Sequence, residues 1–310
     1  PLGFLTYPDT DTEVGFSGNA AIHDQHLALQ WVRDNAPVFG GDPNNVTLFG
    51  QSAGATSICQ HLVSSESKGL FHKVIMQSGA CDSLVMSYEE SLEQGLAMAR
   101  AVGCADQEDV IQCLRTVPAE ELVLARPTDE DVAAGRRRFN WGPVAGAAPL
   151  ADLPSSLLQT SALNKVPVLL GTNEDDGVFF AFVRGIIGLS EDEYQDVLMG
   201  ESPGSDAAEL LELYPMENPD IPALGIANLL GDKLFNCPMA IDSRTLDSQG
   251  IDVYRYYFTQ PIESGFLAEL GTIHGAEMPF VFGAAVEDSY FLGEKDAGLS
   301  KQVVRYWTQF

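Results

Sequence analysis

The chain has 310 residues, 45% of them hydrophobic, and carries 44 acidic against 17 basic side chains. That apolar content is enough for a sizeable core in one large domain, and no run approaches the roughly 18 consecutive apolar residues that a membrane-spanning helix needs. A formal charge of -27 repels phosphate and so argues against nucleic acid or an anionic membrane as a partner; acids in small groups such as Asp129-Glu130-Asp131 and Glu191-Asp192-Glu193 read as a solvated surface.

Residues Asp24 to Asn35 place Leu27, Leu29, Trp31 and Val32 among polar side chains, which predicts a helix that stops before Pro37. Phe39-Gly40-Gly41-Asp42-Pro43 is a turn cluster, and Asn45-Val46-Thr47 is a glycosylation sequon at the mouth of the next element. Val46-Thr47-Leu48-Phe49 reads as a short buried strand, and Ala55 to Val63 reads as a helix. Between them stands Gly50-Gln51-Ser52-Ala53-Gly54. Strand, G-x-S-x-G, helix is the context of a nucleophile elbow, a turn so tight that the serine is held under backbone strain between small neighbours. The five-residue pattern recurs by chance. Its flanks make Ser52 a candidate nucleophile, with its hydroxyl near the positive end of a helix.

Phe71 to Met76 forms a second strand-like run, closed by Gln77-Ser78-Gly79. Ser87 to Val102 has helical period, and residues 104 to 135 are acidic and helical with breaks at Pro118 and Pro127. Cys104 and Cys113 are placed to close a small loop, worth about 3 kcal/mol in the chain-entropy model. Pro167 to Gly171 is a third strand, whose end carries Thr172-Asn173-Glu174-Asp175-Asp176-Gly177. Residues 191 to 235 read as helices broken at Pro203, Pro215, Pro219 and Pro222; Val253 to Phe258 is a fourth strand, and Gly271-Thr272-Ile273-His274-Gly275 a loop. Strands separated by long helical stretches predict an α/β fold: a mostly parallel central sheet with helices on both faces and functional residues beyond the strands' carboxyl ends. The start at Pro1 and the stop within a helix from Leu299 to Phe310 both read as cut ends, so no targeting segment indicates the compartment.

A serine hydroxyl is inert until a base takes its proton, and the base needs an orienting acid. In a strand-elbow-helix hydrolase the chain order is serine, acid, histidine. Of His23, His26, His61, His72 and His274, only His274 follows an acid at a strand end. Glu174, Asp175 and Asp176 crowd the end of the third strand, while Asp152, Asp242 and Asp252 lie elsewhere between serine and histidine. Spacing does not choose within the 174 to 176 cluster.

Several segments carry a resemblance to the type-B carboxylesterase and cholinesterase family of α/β hydrolases. They are Gly18-Asn19, Asp24-Gln25, Leu27 to Val32, Phe39 to Pro43, Val46 to Gly54, Gln77-Ser78-Gly79, Gly171 to Gly177, His274-Gly275-Ala276-Glu277 and Phe280 to Gly283, in family order over nearly the whole chain. The resemblance implies one incomplete α/β-hydrolase domain over residues 1–310, with Ser52 as nucleophile, His274 as base and Asp176 as acid. Most members have glutamate at the last position, and aspartate, one methylene shorter, reaches the imidazole only if the loop or the ring moves. Ala53 would supply one oxyanion N–H, Ser78 and Glu277 would be linked behind the serine and histidine, and Gln51 would support the site from beside the serine. The other oxyanion donors belong, in the family, to a loop upstream of Pro1, so these 310 residues by themselves are expected to hydrolyse esters slowly.

The resemblance further pairs Cys104 with Cys113 and gives Cys237 a partner beyond Phe310; Cys59 and Cys81 are expected as buried free thiols. Phe139, Trp141, Phe179 and Phe180 fall where the family lines its acyl pocket, which implies small to medium apolar carboxylic esters as substrates. Gln51 replaces the glutamate usual in cholinesterases, and with Gly271 to Glu277 it resembles arthropod juvenile hormone esterases and general carboxylesterases. The chemistry implied is acyl transfer to water without cofactor or metal, and the cysteines lack metal-ligand spacing. The alternative is a non-catalytic adhesion or binding protein of the same family. A local disulfide and a sequon at Asn45 fit a secreted glycoprotein, and the oligomeric state, a homo-oligomer included, stays open.

Overall fold

The computed structural model describes residues 1–8, 18–136, 138–160, 163–186, 188–216, 223–261, 270–283 and 296–310. Helix α1 (Ala20–Asn35) is followed by strand β1 (Thr47–Gln51), helix α2 (Ala53–Val63) and strand β2 (Lys73–Gln77). Two short strands, β3 (Met86–Ser87) and β4 (Val144–Ala145), flank helix α3 (Tyr88–Ala101) and three shorter helices. Strand β5 (Val168–Asn173) leads into helix α4 (Asp176–Val183). Later come helix α5 (Ala223–Gly231), a π-helical turn at Asp232–Asn236, a helix at Cys237–Ser248, strand β6 (Val253–Phe258) and helix α6 (Ala297–Gln309). Pro203 and Pro215 lie between helices as expected; Pro219 and Pro222 lie outside the described residues. No described helix is long and apolar enough to cross a membrane.

The chain divides into two compact units. The first comprises Pro1–Val46, Cys59–His72 and Asp82–Lys165. Its strands β3 and β4 pair in parallel, and the buried Asn19 amide donates to Val144 O and Ala147 O while its own oxygen accepts from Val144 N. A capping box, Ser87 with Glu90, starts α3 by satisfying orphan N–H groups. A core of Tyr7, Met98, Cys104, Val110, Ile111, Leu114 and Leu122 surrounds the Cys104–Cys113 disulfide. His61, 2% exposed, bonds Ser67 Oγ and Gln25 Oε1; burial, helped by nearby His26, pushes its imidazole down to about 4. Asn45 is exposed in the turn ahead of β1.

The second unit comprises Thr47–Ile58, Lys73–Cys81 and Val166–Phe310, and holds a four-stranded parallel sheet in the order β1-β2-β5-β6. Beyond β5, helix α4 packs against α5 in a cluster that includes Ala181, Tyr194, Leu198, Ile226, Ala227 and Leu230. Each fully buried leucine there contributes about 2 kcal/mol by leaving water, and the packing fixes the N-terminus of α4, where Asp176 stands.

One cysteine expectation is corrected. Cys59 and Cys81 are disulfide-bonded rather than free thiols, and Cys237 is the free and exposed cysteine. Both bonded residues are wholly buried, and a buried thiol and a buried half-cystine demand the same apolar neighbours, so the sequence pattern does not separate them.

Candidate active site

Strand β1 ends at Gln51, and Ser52 turns the chain into α2 with φ 57, a left-handed conformation that costs a non-glycine residue on the order of 1–3 kcal/mol. The turn is held by its backbone: Ser52 N donates to Gln77 O at 2.8 Å, and Ser52 O accepts from Thr56 N at 3.0 Å. Close approach dictates the small residues. A Cβ on Gly50 would stand 2.7 Å from Gly54 C, and one on Gly79 would stand 2.3 Å from Ser52 O. Ala53 opens α2, so its N–H has no partner within the helix and is free to meet an anion.

The three carboxylates after β5 go to different places. Glu174 is exposed, and Asp175 accepts from Thr272 N at 2.7 Å, stitching the end of β5 to the histidine loop through a parallel bridge with Ile273. Asp176, wholly buried, accepts from His274 Nδ1 at 2.8 Å. The shorter side chain therefore spans the distance to the ring. Its second oxygen accepts from Ser78 Oγ and from Asn173 N, each at 2.8 Å. Asp152 and Asp252 are exposed, and Asp242 caps Cys81 N at 2.8 Å.

A carboxylate at Nδ1 draws the ring proton to that side and leaves Nε2 with its lone pair. That nitrogen lies 3.1 Å from the Gln51 side-chain nitrogen. Among the described residues, no hydrogen bond joins Ser52 Oγ to His274.

Behind Asp176 and His274 runs a buried polar chain. Trp307 Nε1 donates to Gln77 Oε1 at 3.1 Å, Gln77 Nε2 donates to Glu277 Oε1 at 2.9 Å, and Asn173 Nδ2 donates to Glu277 Oε2 at 2.6 Å. Burial pushes the Glu277 carboxyl up, the amides of Asn173 and Gln77 pull it down, and the nearby charge of Asp176 adds to the rise. Burial likewise pushes the Tyr256 phenol well up, with Glu277 and Asp176 adding to it. Ser78, with φ 46, meets Asp176 rather than Glu277, so its link to Glu277 passes through Asp176 and Asn173.

Among the described residues, three aromatic rings face His274, at centroid distances of 6.5 Å for Phe179, 5.1 Å for Phe180 and 4.7 Å for Phe235. Phe139 and Trp141 stand in the first unit, 5.7 Å apart and packed against its core cluster. Sequence reasoning missed Phe235, Asn173, Gln77 and Trp307. A strand-end position marked Asn173 and Gln77, whereas nothing local to the sequence marks Phe235, which a π-helical turn aims at the histidine. Such turns recur at functional sites.

The model of the carboxylesterase family matches residues 1–310, and the chain belongs to that family. With membership come the α/β-hydrolase fold and ester hydrolysis as the family's general chemistry.

Proposed function

We propose that this carboxylesterase-family member is a serine hydrolase of small to medium apolar carboxylic esters, acting through an acyl-enzyme. The observation that carries the reading is the buried Asp176 carboxylate on His274 Nδ1, in the same unit as a strained elbow serine. Ser52 Oγ attacks the ester carbonyl as His274 Nε2 takes its proton, and Asp176 stabilises the imidazolium that forms. The Ala53 N–H donates to the oxyanion. His274 returns the proton to the leaving alcohol, then takes one from the water that releases the acid.

The rings of Phe179 and Phe180, packed against His274, support an apolar acyl site, and neutral Gln51 disfavours a quaternary ammonium ester. The narrower likeness to juvenile hormone esterases rests on Gln51 and the Gly271 to Glu277 loop alone. We read residues 1–310 as one hydrolase domain, the span of the family match. The disulfides and the exposed Asn45 sequon support secretion as a glycoprotein, which a mass decrease on glycosidase treatment would register.

The whole protein should be labelled by a fluorophosphonate, with the adduct on Ser52 by mass spectrometry and loss of p-nitrophenyl acetate hydrolysis in step. A folded protein that takes no label with Ser52 present would instead be a non-catalytic binding member of the family.

A further inference from the structure

We infer that Gln51 is a positioning residue that covers the base: its amide N–H donates to the Nε2 lone pair of His274 and must turn away before Ser52 can lose its proton. The inference rests on the serine-hydrolase reading above. The donor direction follows from the partners. Asp176 Oδ1 at 2.8 Å fixes the proton on Nδ1, so the neutral ring presents only an acceptor at Nε2, and the atom 3.1 Å from it must be the amide NH2. Gln51 has the reach because it is the last residue of β1, directly before the elbow, while His274 sits on the loop that Asp175 stitches to the end of β5.

A covering hydrogen bond has a pH signature. It exists only while the ring is neutral, since an imidazolium carries hydrogen on both nitrogens and has no lone pair to offer. Below the acid midpoint of the rate profile the contact is already lost and slows nothing. On the alkaline plateau it must be broken in every turnover, which slows acylation by about fivefold, the weight of one ordinary neutral hydrogen bond. Among the described residues, the ionisable groups on the elements that meet His274 are Asp176 at Nδ1, Asp175 after β5 with its carboxylate on Thr272 N, Glu277 on the histidine's own loop, Asp232 on the turn that carries Phe235, and buried Tyr256. None is changed by a substitution at position 51.

The test compares fluorophosphonate labelling rates from pH 5 to pH 9 for the whole protein and for Gln51→Met, which keeps length and removes the donor. A thermal melt of each confirms the fold. Gln51→Met should label about fivefold faster at alkaline pH, with the two curves converging at acid pH and the variant's midpoint displaced upward. A rate ratio that does not grow with pH, or a variant that labels more slowly at pH 9, overturns the inference. Gln51→Glu gives a second reading: a carboxylate there holds hydrogen on Nε2, so its midpoint must move further up than that of Gln51→Met, and a lower midpoint overturns the inference as well. Absence of label on the unsubstituted protein would sink the hydrolase reading itself, a different outcome from an unchanged ratio.

Discussion

Replacing Asp176 with asparagine tests the acid with almost no change of shape. Two donors, Ser78 Oγ–H and Asn173 N–H, converge on the same oxygen of Asp176. The carboxamide of Asp176→Asn must keep its own oxygen there, because an NH2 in that place would lose both bonds, about 1 kcal/mol each, and face two donors. Its NH2 then points at His274 Nδ1. The ring answers by carrying its proton on Nε2, the nitrogen that has to accept from Ser52. A wrong tautomer in a triad costs on the order of 10⁴-fold in rate, equivalent to about 5.5 kcal/mol of activation free energy. Fluorophosphonate labelling of Ser52 reads the loss, and a thermal melt shows that the variant is folded. A folded Asp176→Asn that labels within tenfold of the unsubstituted protein would refute this assignment of the acid. Adding Ser78→Ala should return part of the rate, since only one donor then holds the amide in the unproductive orientation.

Gly177→Ala would set a Cβ 1.8 Å from Ala227 O and 2.4 Å from Gly231 N, prying α4 from α5; a loss of about 2–3 kcal/mol in urea unfolding is expected, and an unchanged midpoint would contradict the close packing. His61 makes acid destabilising. Its folded value of about 4 lies below the unfolded value near 6.5, so the folded state binds fewer protons. The stability it contributes is therefore complete above about pH 6.5 and is lost as pH falls towards 4, a total of about 3 kcal/mol. His61→Gln should shrink the difference between urea midpoints at pH 7.5 and pH 4.5, and equal differences in both proteins would show that this imidazole is not the cause.

The strands of the main sheet were legible because each is a short β-branched or apolar run, and β6 begins and ends where the pattern places it. Strand β1 runs two residues past its apolar stretch, into Gly50 and Gln51, because the sheet continues to hydrogen-bond after hydrophobicity stops. Helix α4 was hidden for the opposite reason: Val178 to Val183 is apolar almost throughout, so it shows no helical period. Chain order was enough to nominate Ser52 and His274. Spacing left Glu174, Asp175 and Asp176 open and only the family resemblance pointed to Asp176; the turn after β5 sends one carboxylate to solvent, one to Thr272 N and one to the imidazole. The partners of Glu277 were out of reach of any local pattern. Gln77 lies 200 residues and Asn173 104 residues from Glu277 along the chain.

The side chain of Gln77 accepts from Trp307 near the end of the chain, while its main-chain oxygen anchors the amide of Ser52. One amino acid thus clamps a late helix and the elbow turn at once. Heat that detaches α6 should therefore disarm the serine at the same temperature, so that inactivation and melting coincide instead of activity fading first.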